Sequence, residues 1–309
     1  MCHSKLSNDR HLSTRRKLYP IVTMLVLAVV FAKTGEPRLT RDQDDRTVSV
    51  PDNPLRVVSL APSITEIVFA LGEGDRLKGV TQHCDFPADA QALPKVGSYV
   101  HLNLERIVAL KPDLCIAVRD GNPMQVVTEL EALGIPVYAV DPRSLDTAVD
   151  TVLEVGQLLN ASSKARNLAE EMRARIERVK GKAADTGPRP RVFFQIGAAP
   201  IVSAGSNTII HELISAAGGQ NLAEGPASYP RFSREQVLAL QPEILIITSM
   251  TKEANLEQLS AEWKKYEELP AVRNNRIFIV DADLFDRATP RLIDGLETLA
   301  GIIHPELFR

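Results

Sequence analysis

Short runs of apolar residues recur along the chain, separated by stretches with helical spacing. Arg56-Val57-Val58-Ser59-Leu60 reads as a buried strand. After Pro62-Ser63, the apolar residues Ile64, Ile67, Val68 and Leu71 follow the period of a helix face, with Ser63 as N-cap and Glu66 completing a capping box. Further strands are expected at Leu77 to Val80, Leu114 to Val118 and Pro136 to Val140. Strands that alternate with helices imply parallel pairing in an α/β layer fold. A long helical stretch then runs from Leu145 to Leu159 and resumes from Ser163 to Lys182, where Leu168, Met172, Ile176 and Val179 form an apolar stripe. Asp185-Thr186-Gly187-Pro188-Arg189-Pro190 ends it, since Gly and Pro break helices. A second α/β set opens at Arg191-Val192-Phe193-Phe194-Gln195. It continues with strands at Ile244 to Thr248 and Arg276 to Val280, and closes with a helix from Thr289 to Ile303.

The two sets share a repeat. Leu104-Glu105-Arg106-Ile107-Val108-Ala109-Leu110-Lys111-Pro112-Asp113-Leu114 returns as Arg234-Glu235-Gln236-Val237-Leu238-Ala239-Leu240-Gln241-Pro242-Glu243-Ile244. Each copy follows an N-cap candidate, Asn103 or Ser233, and carries Glu at the same helical position. A carboxylate in a first helical turn is favoured by the helix dipole, which explains either glutamate alone. As a pair, Glu105 and Glu235 place two acidic knobs of like geometry on two lobes, suited to a basic partner with two-fold symmetry. The expected fold is therefore α/β, with two Rossmann-like lobes carrying parallel-type sheets, a long rigid helix joining them, and a ligand cleft between them. Residues 53–144 form the first lobe, 145–190 the connecting helices, and 191–309 the second lobe.

The first residues change the expected compartment. Arg10, Arg15, Arg16 and Lys17 precede an apolar stretch from Leu18 to Ala32, too short for an ordinary membrane span. Residues 1–32 read as a signal peptide or signal anchor, with Arg15-Arg16 also compatible with a twin-arginine route. Residues 33–52 are polar and read as a loose tether. Of the 309 residues, 44% are hydrophobic and 24% charged, and the net charge is -3. That is a globular composition with no field or basic patch for nucleic acid.

Cys84 and Cys115 lie in the body of the chain, and a disulfide and two separate thiols both fit the sequence. His83, His101, His211 and His304 are scattered, so no metal site is expected. There is no GxSxG, P-loop, HExxH, or GxGxxG after the first strand, and no catalytic residue is assigned.

Several segments resemble the periplasmic cobalamin-binding proteins of ABC importers, within a wider class of helical-backbone binders for siderophores, haem and metals. They are Val57 to Glu66, Cys84-Asp85-Phe86-Pro87, Asn103 to Asp113, Arg191 to Gly197, Phe232 to Leu240, and Phe285-Asp286-Arg287-Ala288-Thr289-Pro290-Arg291. The last segment is the one most particular to the cobalamin branch. The resemblance implies a monomeric carrier with no cofactor of its own, which takes a corrinoid as cargo to a permease dimer. It implies that Glu105 and Glu235 dock on that permease. It also implies that His83, Tyr99, Tyr229, Asp283 and Arg287 hold the ligand, with Phe86 and Phe285 lining the same crevice. Val118 departs from the pattern, standing where a tryptophan is expected, and Trp263 reads as a packing residue. A haem or iron-siderophore carrier, and an exported enzyme acting on a corrinoid-like substrate, are the alternative readings.

Overall fold

The computed structural model describes residues 36–184, 187–248 and 255–308, so the expected leader at 1–32 lies outside the described residues. The first lobe is built on strands β3 (Val57–Ser59), β4 (Leu77–Gly79), β5 (Leu114–Val118) and β6 (Val137–Val140). They pair in the order β4-β3-β5-β6, all parallel. Side chains alternate across a strand, and β5 divides its residues accordingly. Leu114 and Ile116 face α1 (Pro62–Ala70) and α4 (Leu145–Leu158), whereas Cys115 and Ala117 face α2 (Leu104–Ala109) and α3 (Met124–Ala132).

The second lobe repeats this division. Strand β7 (Arg191–Ala198) turns Val192 and Phe194 inward and Phe193 outward; β11 (Ile244–Ile247) turns Ile244 and Ile246 inward and Leu245 and Ile247 outward. The inner face is covered by α5 (Ser162–Ala184), α6 (Ile209–Ala216) and α10 (Leu292–Ile303). The outer face is covered by α7 (Arg234–Leu240), α8 (Leu256–Trp263) and α9 (Pro270–Arg273). Here the expectation of a parallel sheet needs correction. Strands β7, β11 and β12 (Ile277–Ile279) are parallel, and β9 (Gln220–Asn221) joins the start of β7 in parallel. But β8 (Ile201–Ser203) folds straight back from β7, and β10 (Arg231–Phe232) pairs antiparallel with β8, so the sheet is mixed. A short turn leaves no room for the crossover helix that parallel pairing requires.

The connection is the two helical stretches expected from the sequence, α4 and α5. Helix α5, with 23 residues, spans about 35 Å at 1.5 Å per residue. It packs along α4 so closely that a Cβ on Gly156 would sit 2.2 Å from the Ala165 Cβ. Helix α4 meets α1 of the first lobe, while α5 meets α6 and α10 of the second. One apolar core therefore runs without a break from Ile64 and Ile67, through Val152 and Met172, to Phe194 and Leu296.

The expected loose tether is instead a hairpin, β1 (Arg38–Arg41) and β2 (Thr47–Val50), docked on the first lobe. Its turn seals the open edge of β6. The Gln43 amide donates to the Ala139 carbonyl at 3.1 Å, Arg46 donates to Val137 O at 3.2 Å, and Asp42 Oδ2 accepts from the Ala139 amide at 3.3 Å. Arg38 donates to the carbonyls of Gln157 and Leu158 at the end of α4, at 2.6 and 2.9 Å. Polar composition suggested disorder, yet these polar side chains are the ones that satisfy the edge strand.

The repeat holds in three dimensions. Burial runs in the same order through residues 101–110 and 231–240, and Lys111 and Gln241 are both left-handed, at φ 49 and 47. Asp113 accepts from the Arg56 amide at 2.9 Å, as Glu243 accepts from the Arg191 amide at 2.8 Å. Asn103 and Ser233 are the N-caps expected of them.

Candidate ligand-binding cleft

The two lobes meet around Arg287. It lies between a short 3-10 turn, Ala282–Leu284, and helix α10. Phe285 is the anchor of this segment: it is fully buried against Phe194, ring centroids 5.4 Å apart, so it packs in the core and does not line a crevice. With Phe285 fixed, Arg287 reaches back to the first lobe. Its Nη1 donates to Glu66 Oε1 at 2.8 Å and to Asp85 Oδ1 at 3.2 Å. Its Nη2 meets Asp283 Oδ1 at 2.6 Å and donates to the His83 carbonyl at 3.3 Å. Arg291, one turn on, lies 3.4 Å from Glu66 Oε2 and 4.0 Å above the Phe86 ring.

Glu66 does not complete a capping box. The N-cap of α1 is Ala61, with Pro62 in the first turn and no side-chain cap. The Glu66 side chain is only 2% exposed and points to the second lobe. Burial pushes its carboxyl up, while the hydrogen bond from Arg287 and the charges of Arg287 and Arg291 pull it down; burial prevails.

The facing wall comes from the end of β5. Asn122 donates to Tyr99 O at 2.7 Å and Leu60 O at 2.8 Å, and accepts from the Val118 amide at 2.8 Å. This ties the Tyr99 loop to the strand end. Gly121, at φ 130, lies beneath the Tyr99 ring, where a Cβ would come within 2.6 Å of it. Val118 is half-buried at this strand end. Tyr229 is 56% exposed on the other lobe. Its hydroxyl is pushed up, first by partial burial and then by the charges of Asp120 and Asp286. Asp286 Oδ2 is shielded from solvent and has no hydrogen-bond partner among the described residues. Burial, then the charge of Asp283, pushes its carboxyl up to about 7.

The structure thus gathers the His83 carbonyl and Asp283 around the Arg287 guanidinium and Phe86 against Arg291, with Tyr99 and Tyr229 on the facing walls. Glu66, Asp85, Asn122, Asp286 and Arg291 belong to the same arrangement without having been singled out from the sequence. Glu66 carried a signal, as a charge among the fully buried Ile64, Ile67 and Val68. Glu105 and Glu235 stand exposed at equivalent positions, and the Ser233 hydroxyl, then Glu235's own amide, hold the Glu235 carboxyl below its usual range. Cys84 and Cys115 are unpaired and buried, Cys84 beside the Thr65 and Thr81 hydroxyls at 3.1 and 3.2 Å. Trp263 is a core residue whose Nε1 donates to Gln195 Oε1 at 2.7 Å. Among the described residues no helix is long and apolar enough to cross a membrane.

Two α/β lobes joined by paired helices, with charged and aromatic groups converging where they meet, define a two-lobed solute-binding protein. The chain belongs to the periplasmic binding protein family, whose model matches residues 57–284. It is 34% identical over 245 residues to a vitamin B12-binding protein of Yersinia pestis, a match covering 79% of this chain and 84% of that protein. The periplasmic vitamin B12-binding protein BtuF of Vibrio cholerae superposes with a TM-score of 0.73 at 30% identity, covering 82% of this chain and 97% of that one. The periplasmic haem-binding protein RhuT of Roseiflexus matches to the same degree, with a TM-score of 0.73 and 30% identity over 81% of this chain and 98% of its own. The family is one of binding proteins, not enzymes.

Proposed function

We propose that the protein is the extracytoplasmic solute-binding component of an ABC importer and carries cobalamin or a related corrinoid between its lobes. In this reading the segment before the hairpin directs export. The corrin faces lie against Tyr99, Tyr229 and Phe86, while His83 and Asp283 serve its amide rim. Arg287 holds that rim in register rather than binding alone, because its donors are already engaged. Glu105 and Glu235 are the contacts to the permease dimer.

The observation that carries the choice of ligand is charge. Seven carboxyl groups, of Glu66, Asp85, Asp120, Asp141, Asp281, Asp283 and Asp286, meet three guanidiniums, of Arg143, Arg287 and Arg291. Every one of the three is already paired, Arg143 with Asp141 at 2.9 Å and the others with Glu66. A haem brings two propionates, which need free cations. A corrin brings amides around a cationic metal, which suit carboxylates and hydroxyls. Isothermal titration of the full chain with cyanocobalamin and with haemin tests this. Cyanocobalamin is expected to bind one to one and at least about tenfold tighter than haemin, a difference of about 1.4 kcal/mol. Haemin binding the tighter of the two would assign the protein to haem carriers.

A further inference from the structure

We infer that Glu66 is a positioning residue that clamps the two lobes at a fixed spacing and thereby sets the ligand-facing wall. It lies on α1 of the first lobe, among buried aliphatic side chains, where a carboxylate is costly unless it is paired. Both of its cationic partners, Arg287 and Arg291, come from the second lobe. The carboxylate thus bridges two guanidiniums across the lobe boundary, Arg287 on Oε1 at 2.8 Å and Arg291 within 3.5 Å of both oxygens. Separating the lobes takes both cations away from the Glu66 carboxylate, 2% exposed, whereas Arg287 keeps Asp283 on its own lobe; an unpaired buried carboxylate resists opening more strongly than apolar contact alone. Capping does not explain its presence, because Ala61 and Pro62 begin the helix without it.

The clamp also transmits geometry. A guanidinium is planar, and its donors are fixed relative to one another. With Nη1 shared between Glu66 and Asp85, Nη2 falls on Asp283 and the His83 carbonyl. Arg291, held by the same carboxylate, covers the Phe86 ring. The first lobe's 83–86 loop and the second lobe's Asp283 are therefore brought into register by one buried side chain. Glu66 needs no contact with ligand to do this.

The test uses spin labels on the full chain, with Cys2→Ser, at the exposed positions Met124→Cys in α3 and Glu257→Cys in α8, one on each lobe, since Cys84 and Cys115 are buried. Pulsed dipolar spectroscopy then gives the spread of inter-lobe distances without ligand. Glu66→Gln is expected to broaden that spread, and Glu66→Asp, which keeps the charge but shortens the reach, to broaden it less. Ile67→Val in the same helix serves as the stability control. It should lower the melting temperature and leave the spread unchanged. With cyanocobalamin, Glu66→Gln should raise the dissociation rate by at least about tenfold. This affinity arm rests on the corrinoid reading, whereas the distance arm does not. If wild type fails to bind cyanocobalamin while Glu66→Gln still broadens the distances, the ligand assignment falls and the clamp stands. An unchanged distance spread in folded Glu66→Gln overturns the clamp.

Discussion

Asp286 and Phe285 are neighbours with opposite fates, and the backbone between them decides both. Phe285 enters the core and fixes the segment, which leaves the Asp286 carboxyl shielded from water at the foot of the inter-lobe wall. A carboxyl buried beside Asp283, with Oδ2 lacking a donor, holds its proton to about pH 7, far above its usual value of 3.8. The sign of the linkage follows. The folded state binds this proton more tightly than the unfolded chain does, so the contribution to stability is full below pH 4 and is lost as pH rises toward 7. Between pH 5 and pH 8 the loss amounts to roughly 2–3 kcal/mol, most of it below pH 7. Urea denaturation of Asp286→Asn should show a correspondingly flatter dependence on pH than wild type. Equal slopes in the two proteins would mean that the carboxyl finds a donor in solution. A truncation at the neighbouring position acts differently. Phe285→Ala is expected to cost about 3–5 kcal/mol at every pH, because it empties a site filled on all sides.

At the scale of elements, a close helix–helix contact joins α4 to α5 at Gly156. Gly156 has the dihedral angles of an ordinary helix, so what it supplies is the absence of a side chain, not unusual backbone freedom. A methyl group there meets Ala165 Cβ at 2.2 Å. Gly156→Ala raises intrinsic helix propensity by about 1 kcal/mol, yet it forces the helices apart. Overpacking of this kind costs about 1–3 kcal/mol. The variant should therefore be no more stable than wild type, and less stable by up to about 2 kcal/mol in a urea midpoint measurement. A clear gain in stability would mean that the two helices sit further apart than described. Strands β3 to β7, β11 and β12 and helices α1, α2, α4, α5, α7 and α10 were legible beforehand, because each has a run of apolar residues whose period matches its geometry. Strand β5 shows this at single-residue resolution, since Leu114 and Ile116 part from Cys115 and Ala117 as alternation requires. What escaped were elements whose stability comes from elsewhere in the chain. The hairpin is polar, and its fold depends on β6 and α4, about 90 to 120 residues away in sequence. Strands β8 and β10 are too short to carry a period of their own. Glu66 looked like part of a capping box because its spacing from Ser63 fits one, and only the second lobe shows what it pairs with.

The molecule as a whole is two similar halves that share one interior. Because the apolar core passes through α4 and α5 into both lobes, opening them as rigid halves would expose that core to water, at roughly 25 cal/mol for each Å² uncovered. Large closure is therefore disfavoured, and a transporter facing this protein must recognise the loaded form by something other than a wide swing of the lobes. For the proposed docking, the repeat supplies two equivalent exposed acidic positions. Glu105 and Glu235 occupy the same position in helices of like design, each begun by an N-cap and each followed by a left-handed turn before proline. Neither side chain is needed by the fold around it. Glu105→Ala together with Glu235→Ala should therefore leave the melting temperature within about 1 °C and the ligand affinity within about twofold. Uptake in cells, or in vesicles that hold the permease, should fall by more than either single change produces, because each acidic tip loses one basic partner. Higher salt should weaken docking of the wild type and matter less for the double variant, since exposed charge pairs are screened beyond about 8 Å at physiological ionic strength. Normal uptake by the double variant would remove the two glutamates from the docking surface while leaving the ligand assignment untouched.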